Sequence, residues 1–332
     1  MFFKNNFDFV AIGETTIDAF IRLRDATVRC DINNENCQLC VNFGAKIPYE
    51  SVTEIVAVGN AGNAAVSVSR LGLSSALVAN VGPDDNGKKC INSLKNDGVN
   101  TDFVIINPDK DTNYHYVLWY EKERTILQKH SHFDYKLPNI GETKWIYLTS
   151  LGENSLPLHK EILEYLKNHP KTKMAFQPGI FQIKFGAEKL AGLYKMTKVF
   201  ICNVQEAQRI LVTKEEKPME LMKMISYLGP KIVVVTDGVK GAYAYNGEDA
   251  WFMPPYPDPK PPFERTGAGD AFSATFVAGL AMGKNIEESL MMAPVNSMSV
   301  VQKIGAQEGL LTLEEIEKYL QQAPEDYKPR RI

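Results

Sequence analysis

Along most of the chain, short apolar runs alternate with stretches whose apolar residues recur every three to four positions. The runs at 7–13 (FDFVAIG), 75–82 (SALVANVG), 144–150 (KWIYLTS), 173–179 (KMAFQPG), 198–204 (KVFICNV) and 231–238 (KIVVVTDG) are short and mostly stopped by Gly, Asn or Pro, which predicts buried strands. Between them, Ala64, Val68 and Leu71 share one helical face, and Leu158, Ile162 and Leu166 share another. Strands alternating with crossover helices predict an α/β fold built on a largely parallel sheet. Residues 267–322 read as helices with a break near Gly305.

Two stretches depart from this rhythm. Residues 17–56 and 111–130 show β-type alternation and no helix signal, which predicts a small sheet attached to the α/β core. Sites of open parallel sheets lie at the carboxyl ends of the strands, so such a sheet is placed to act as a lid. The expected division is a core of 1–16, 57–110 and 131–332, with 17–56 and 111–130 as the lid. A Pro-rich connection at 253–264, MPPYPDPKPPFE, leads into the sequence ERTGAGDAF.

Composition narrows the function classes. The chain has 332 residues, 44% of them hydrophobic, enough for a substantial core, and a formal net charge of -3 with mixed signs throughout, which gives no footprint for nucleic acid. Small molecules and copies of itself are the expected partners. The first twenty residues lack the features of a signal peptide and no window approaches 18 consecutive apolar residues, so no membrane partner and a cytoplasmic location are expected. Cys30, Cys37 and Cys40 carry half of a zinc signature, with no second C-x-x-C anywhere, and are expected to be reduced thiols in a surface excursion.

The chemistry concentrates in Glu264–Phe272. After its glycines, Phe272, Phe276 and Leu280 fall four apart, which puts Gly267, Ala268, Gly269 and Asp270 at a helix start. The first amides of a helix lack intrahelical partners and carry the positive end of its dipole, so they form an anion site. An acid in that turn repels an anion unless it has a chemical task, such as accepting the proton of an attacking hydroxyl. The alternative is an Asp270 that merely caps the helix.

This segment resembles the ATP-site signature D-T-x-G-A-G-D of the ribokinase-like (PfkB) carbohydrate kinases, with Glu264 at the first acid and Arg265 at the Thr. Other segments resemble that family in order: GETTID (13–18), VGNAGNAAVSVSRLG (58–72), NVQEA (203–207), VTDGVKGAY (235–243) and APVNSMSVVQKIGA (293–306). The resemblance implies a three-layer αβα sandwich with a mostly parallel sheet, a small β lid, and ATP-dependent phosphorylation of a hydroxymethyl group on a sugar or sugar-like alcohol. It implies that Asp270 is the base, with Gly267, Ala268 and Gly269 stabilising the phosphoryl group. It also implies that Asp18, Gly59, Asn60 and Asn63 bind substrate, and that Asn203, Thr236, Gly238, Gly241 and Asn296 bind nucleotide. Glu206 would help hold Mg2+ through water, and Glu264 falls where the family places a monovalent cation such as K+, with the Arg265 guanidinium positioned to replace part of that charge. A homodimer through the lid is a further implication. Taken singly, Asp18 as a turn residue, Asn63 as a cap, Glu206 as a solvated acid and Asn296 as a polar spot on a helix are structural alternatives.

Three departures from the pattern bear on substrate: Val58 replaces the first Gly of the N-terminal signature, Gln177 stands where an acid is usual, and Arg265 replaces Thr. Phe43, Tyr114, Tyr116, Trp119 and Tyr120 are candidates for an aromatic wall, so a nucleoside kinase stands beside the sugar kinase, and a non-catalytic nucleotide- or sugar-binding descendant is the reading from another class. GPDDNGKK (82–89) mimics a P-loop, but Lys89 lacks the hydroxyl that would hold magnesium and Asp84 and Asp85 would place negative charge in the cradle.

Overall fold

The computed structural model of the protein describes residues 6–31, 37–121 and 123–332. Residues 1–5, 32–36 and 122, which belong to the segments assigned above to core and lid, lie outside the described residues. All six expected strands form, and they line up in one ten-stranded sheet. Seven strands run parallel, in the spatial order Val104–Ile106, Ser75–Val81, Asn6–Ile12, Glu142–Leu148, Lys173–Phe176, Thr197–Asn203 and Ile232–Thr236. Ala242–Tyr245, Ala250–Met253 and Arg330–Arg331 extend it as antiparallel strands. The strand Lys173–Phe176 stops three residues before the apolar run does, where Pro178, which has no amide hydrogen, would break the ladder.

Both faces of this sheet are covered, which is why its strands read as continuous apolar runs rather than alternating ones. In Asn6–Ile12, Phe9 and Ala11 point into a core shared with helices Asn60–Arg70, Ala268–Ala281 and Ile286–Val300. Val10 and Ile12 point the other way, into a core shared with Leu156–Asn168, Val204–Leu211 and Pro218–Ser226. The result is a three-layer αβα sandwich. Helices Ala268–Ala281, Ile286–Val300 and Leu313–Gln321 fill the carboxyl-terminal part, and the expected break falls at a turn where Gly305 has φ 78°.

The two β-type stretches meet in a separate four-stranded sheet, in the order Tyr49–Val58, Thr16–Leu23, Tyr114–Tyr120, Glu123–Leu127. Its outer pairs are antiparallel and its central pair is parallel. A two-stranded ribbon, Thr27–Arg29 with Gln38–Cys40, projects from it. The expectation of reduced cysteines is corrected here: Cys30 and Cys37 form a disulfide, because the ribbon brings their Cα atoms to 4.0 Å, while Cys40, Cys90 and Cys202 are free thiols. Among the described residues no helix is long and apolar enough to cross a membrane.

Candidate active site

Five parallel strands end along one edge of the large sheet, and most of the side chains singled out in the sequence collect there. Asn6–Ile12 leads into Gly13, Glu14 and Thr15, Glu142–Leu148 into Thr149 and Ser150, and Lys173–Phe176 into Gln177; Asn203 and Thr236 close their own strands. Facing this edge are the first turns of two helices. Gly59 caps Asn60–Arg70 with φ 94°, and a Cβ there would lie 2.9 Å from the Glu14 carbonyl oxygen, so the backbone crosses this loop only as glycine. Gly267 caps Ala268–Ala281 with φ 77°, and a Cβ there would meet the Cβ of Ala306 at 2.3 Å.

Asp270 lies in the first turn of that second helix and is 9% exposed. Its Oδ1 accepts hydrogen bonds from Asn60 Nδ2 at 2.9 Å and Gln177 Nε2 at 3.3 Å, and its Oδ2 accepts one from Asn63 Nδ2 at 2.8 Å. Gln307 Nε2 donates to Asn63 Oδ1 at 3.1 Å and to the Ala57 carbonyl at 2.8 Å, which fixes the asparagine from behind. Burial pushes the Asp270 pKa above the ordinary aspartate value, against the pull of the three amide donors. Among the described residues the hydrogen-bond donors to this carboxylate are all neutral amides.

Asn203 and Glu206 form a capping box on Val204–Leu211: Glu206 N donates to Asn203 Oδ1 at 2.8 Å and Asn203 N donates to Glu206 Oε2 at 2.9 Å. Burial and the nearby Asp270 charge both raise the Glu206 pKa, so the two carboxylates sense one another and Glu206 is not a solvated helix acid. Among the described residues no group of three or more His, Cys, Asp or Glu side chains could hold a metal by itself. Beside the helix start opens a cavity of about 190 Å3 lined by Thr236, Gly238, Gly241, Ala268, Gly269 and Met298, among others.

The family model described as pfkB family carbohydrate kinase matches residues 24–313 of this chain. The chain belongs to the pfkB family of carbohydrate kinases. Among its relatives this pfkB kinase is 27% identical over 259 residues to an uncharacterized sugar kinase of Archaeoglobus fulgidus, a match covering 74% of this chain and 98% of that protein. Its fold matches that of a Methanocaldococcus jannaschii nucleoside kinase with a TM-score of 0.79 and 19% identity, covering 95% of this chain and 98% of that one. It also matches Arabidopsis thaliana ribokinase in complex with ribose and ATP, with a TM-score of 0.77 and 20% identity over 94% of this chain and 98% of that one.

Several expectations for this pfkB kinase need correction. Asn296 does not line the cavity. It is fully buried, donating to Thr275 Oγ1 at 2.8 Å and Ser67 Oγ at 3.3 Å and accepting from Leu311 N at 2.9 Å, so its side chain ties helices together while Ser297 and Met298 face the opening. Arg265 lines the cavity, where its charge reaches Asp258, and the guanidinium beside Glu264 belongs instead to Arg124 of the lid sheet, 3.3 Å away. Glu264 is otherwise occupied by Gly305 N at 2.6 Å, Thr266 N at 3.2 Å and the Thr266 hydroxyl. With its oxygens already accepting those donors and a guanidinium alongside, this carboxylate does not fit a monovalent cation. The aromatic wall does not form either: Phe43 is fully exposed, Tyr114 and Tyr116 pack on one another, and Trp119 packs on Phe263.

The structure also brings forward residues that sequence reasoning passed over. His115 Nδ1 lies 3.3 Å from Oδ1 of Asp18, the buried acid already expected to bind substrate. Glu14 Oε1 lies 3.2 Å from His130 Nδ1 and accepts from the Tyr135 hydroxyl at 3.4 Å, and this contact with Glu14 raises the His130 pKa. The available signal is strand register: His115 sits directly opposite Asp18 in the lid sheet, which no local motif reveals.

Proposed function

We propose that this pfkB kinase transfers the γ-phosphoryl group of ATP to a hydroxymethyl group of a sugar or sugar-like alcohol. The observation that carries the reading is the buried Asp270 carboxylate, held by Asn60, Asn63 and Gln177 at the start of a helix whose first amides, from Gly267 to Asp270, are free of intrahelical partners. The acceptor oxygen forms a bond to the γ-phosphorus as the bond to the bridging oxygen of ADP breaks, and its proton passes to Asp270. The Gly267–Asp270 amides hold the charge of the group in flight. Asp18, Asn60 and Asn63 orient the acceptor beside Gly59, while Asn203, Thr236, Gly238 and Gly241 border the nucleotide. Glu206, whose Oε1 is not engaged in the capping box, would hold Mg2+ through a water, and the ion would supply the charge that neutralises the triphosphate.

The test is ADP release from Mg-ATP across a panel of sugars and nucleosides. A product phosphorylated on a hydroxymethyl group supports the reading, and a protein that binds ATP but turns over no member of the panel above an acceptor-free control sinks it. A nucleoside acceptor is the second reading, favoured by the Phe181 and His130 rings, which meet edge to face at 5.5 Å beside Glu14; the same panel separates the two.

Three further readings concern the surroundings of the site. The four-stranded sheet, formed from 17–56 and 111–130, acts as a lid, which suits a reaction that must keep water from ATP. Because Arg124 of that lid neutralises Glu264, turnover is expected to differ by less than twofold between potassium and tetramethylammonium chloride at equal ionic strength, and Arg124→Ala is expected to introduce stimulation by K+. Several-fold stimulation of the unaltered enzyme would contradict this. On the outer lid face Val52, Tyr116 and Leu127 are 45%, 48% and 52% exposed and stand on the same side of the sheet, which supports a homodimer through the lid. Light scattering is expected to give a dimer mass, reduced to a monomer in Tyr116→Asp with Leu127→Asp; a monomeric wild type would rule the dimer out. We also place the enzyme in the cytoplasm, where cellular ATP is plentiful; fractionation that recovers it outside the cell would refute that.

A further inference from the structure

Two charged side chains line the cavity beside the helix start, and they differ in sign: Arg265 and Asp258. Most of the remaining lining is apolar, including Met253, Pro255, Phe272, Pro294 and Met298. Arg265 is exposed and makes no hydrogen bond or ion pair among the described residues. Its charge is felt at Asp258, whose pKa burial raises and the guanidinium lowers, yet the two form no ion pair. The signature that this segment resembles has a neutral threonine here, so the charge is a feature of this chain.

The adjoining backbone presents donors to the same space. The first intrahelical hydrogen bond of Ala268–Ala281 runs from Ala271 N to the Gly267 carbonyl at 2.8 Å, which leaves the amides of Ala268, Gly269 and Asp270 without a helical acceptor. Ala268 and Gly269 line the cavity together with Arg265, and nothing lies within 4 Å of a Cβ built at Gly269. A guanidinium offers five donors and no acceptor, in a fork that matches two oxygens of one phosphate. The ligand atoms it takes must therefore be acceptors. Asp258 repels the same oxygens, so the charged end of a nucleotide is drawn to the Arg265 side. Position along the chain narrows the choice among phosphates. The group in transfer must meet Asp270, which lies inside the helix, whereas Arg265 precedes the Gly267 cap and reaches the phosphates that stay with the nucleotide.

We propose that Arg265 is a specificity-determining residue for the phosphoryl donor, whose guanidinium binds the α- and β-phosphates that ATP and ADP share. This inference rests on the kinase reading above and deepens it at the nucleotide cavity.

The test is calorimetric binding of Mg-ADP and of a non-hydrolysable Mg-ATP analogue to the full-length protein, as wild type, Arg265→Thr and Arg265→Lys. In Arg265→Thr both ligands are expected to weaken by the same factor, roughly 10- to 100-fold. Arg265→Lys keeps the charge without the fork and should fall between the other two. Because Arg265 is exposed and partnerless, both variants should melt within about 1 °C of the wild type when no nucleotide is present, which a structural role would not allow. Unchanged affinity for both ligands in Arg265→Thr overturns the inference and leaves the kinase reading intact. So does a loss confined to the ATP analogue, which would place the guanidinium on the γ-phosphate, and so does a loss that Arg265→Lys does not recover at all. A wild-type protein that binds neither ligand overturns the kinase reading and the inference together.

Discussion

Replacing Asp270 with Asn is expected to lower kcat by about 10²- to 10⁴-fold, the usual contribution of a positioned general base. The substitution keeps the shape of the side chain and removes the proton acceptor. It has a second consequence, for stability. Asp270 accepts from three amide groups, whereas an asparagine must turn its own NH2 toward at least one of them. Against that lost contact stands relief from burying a charge, whose effect is visible in the raised Asp270 pKa. The two effects oppose, so the thermal midpoint is expected to move little compared with the rate. Coupled ADP-release assays beside thermal melts check both halves, and a variant with near-full turnover removes Asp270 from the role of base.

The same carboxyl, as the proposed base, is expected to set the acid side of the pH profile. A base works only when ionised, and burial raises this aspartate above its ordinary value of 3.8. The rate of the unaltered enzyme therefore rises with pH through that raised value, and the residual rate of Asp270→Asn lacks the rise.

The second large effect is expected at Gly267. Gly267→Ala must place a side chain at φ 77°, and its Cβ would fall 2.5 Å from the Cα of Ala306 as well as against its Cβ, so backbone has to move. Left-handed strain and overpacking together come to about 2 to 5 kcal/mol, a fall in thermal midpoint of roughly 3 to 7 °C for a chain of this size. ATP affinity should fall with it, because the turn that aims the first amides is the part displaced. Gly269→Ala provides the contrast: nothing lies within 4 Å of a Cβ there, yet the residue borders the cavity. That variant is expected to melt like the wild type and to lose activity. Equal melting of Gly267→Ala and Gly269→Ala would show that the turn at 267 is not the constraint described.

The contrast between these glycines also shows which parts of the site could be read from sequence. Spacing along one helix is local, so Gly267, Gly269 and Asp270 could be placed on a helix start from their neighbours alone. Buried strands were legible for a related reason: burial on both faces leaves continuous apolar runs, and the structure needs only their order. Direction across the fold was harder. Asn296 sits on the expected helix but points inward, because which face of a largely buried helix meets solvent depends on packing partners far away in the chain. Arg265 was the obvious guanidinium for Glu264 by proximity in sequence, and Arg124 takes the place because the lid strand folds over it from 140 residues away. His115 became visible only through its register with Asp18, and the Cys30–Cys37 bond only through the ribbon that brings the two together.

The hydrogen bonds that hold Asp270 span 210 residues to Asn60 and 207 to Asn63. Contacts of such long range form late, since closing a long loop loses entropy before any packing compensates for it. During synthesis the strands around Asn6–Ile12 exist well before the chain that contains Asp270 has been made. A nascent or partly refolded molecule can thus carry much of its secondary structure and still have no catalytic centre, and the return of activity marks the completion of folding rather than its beginning.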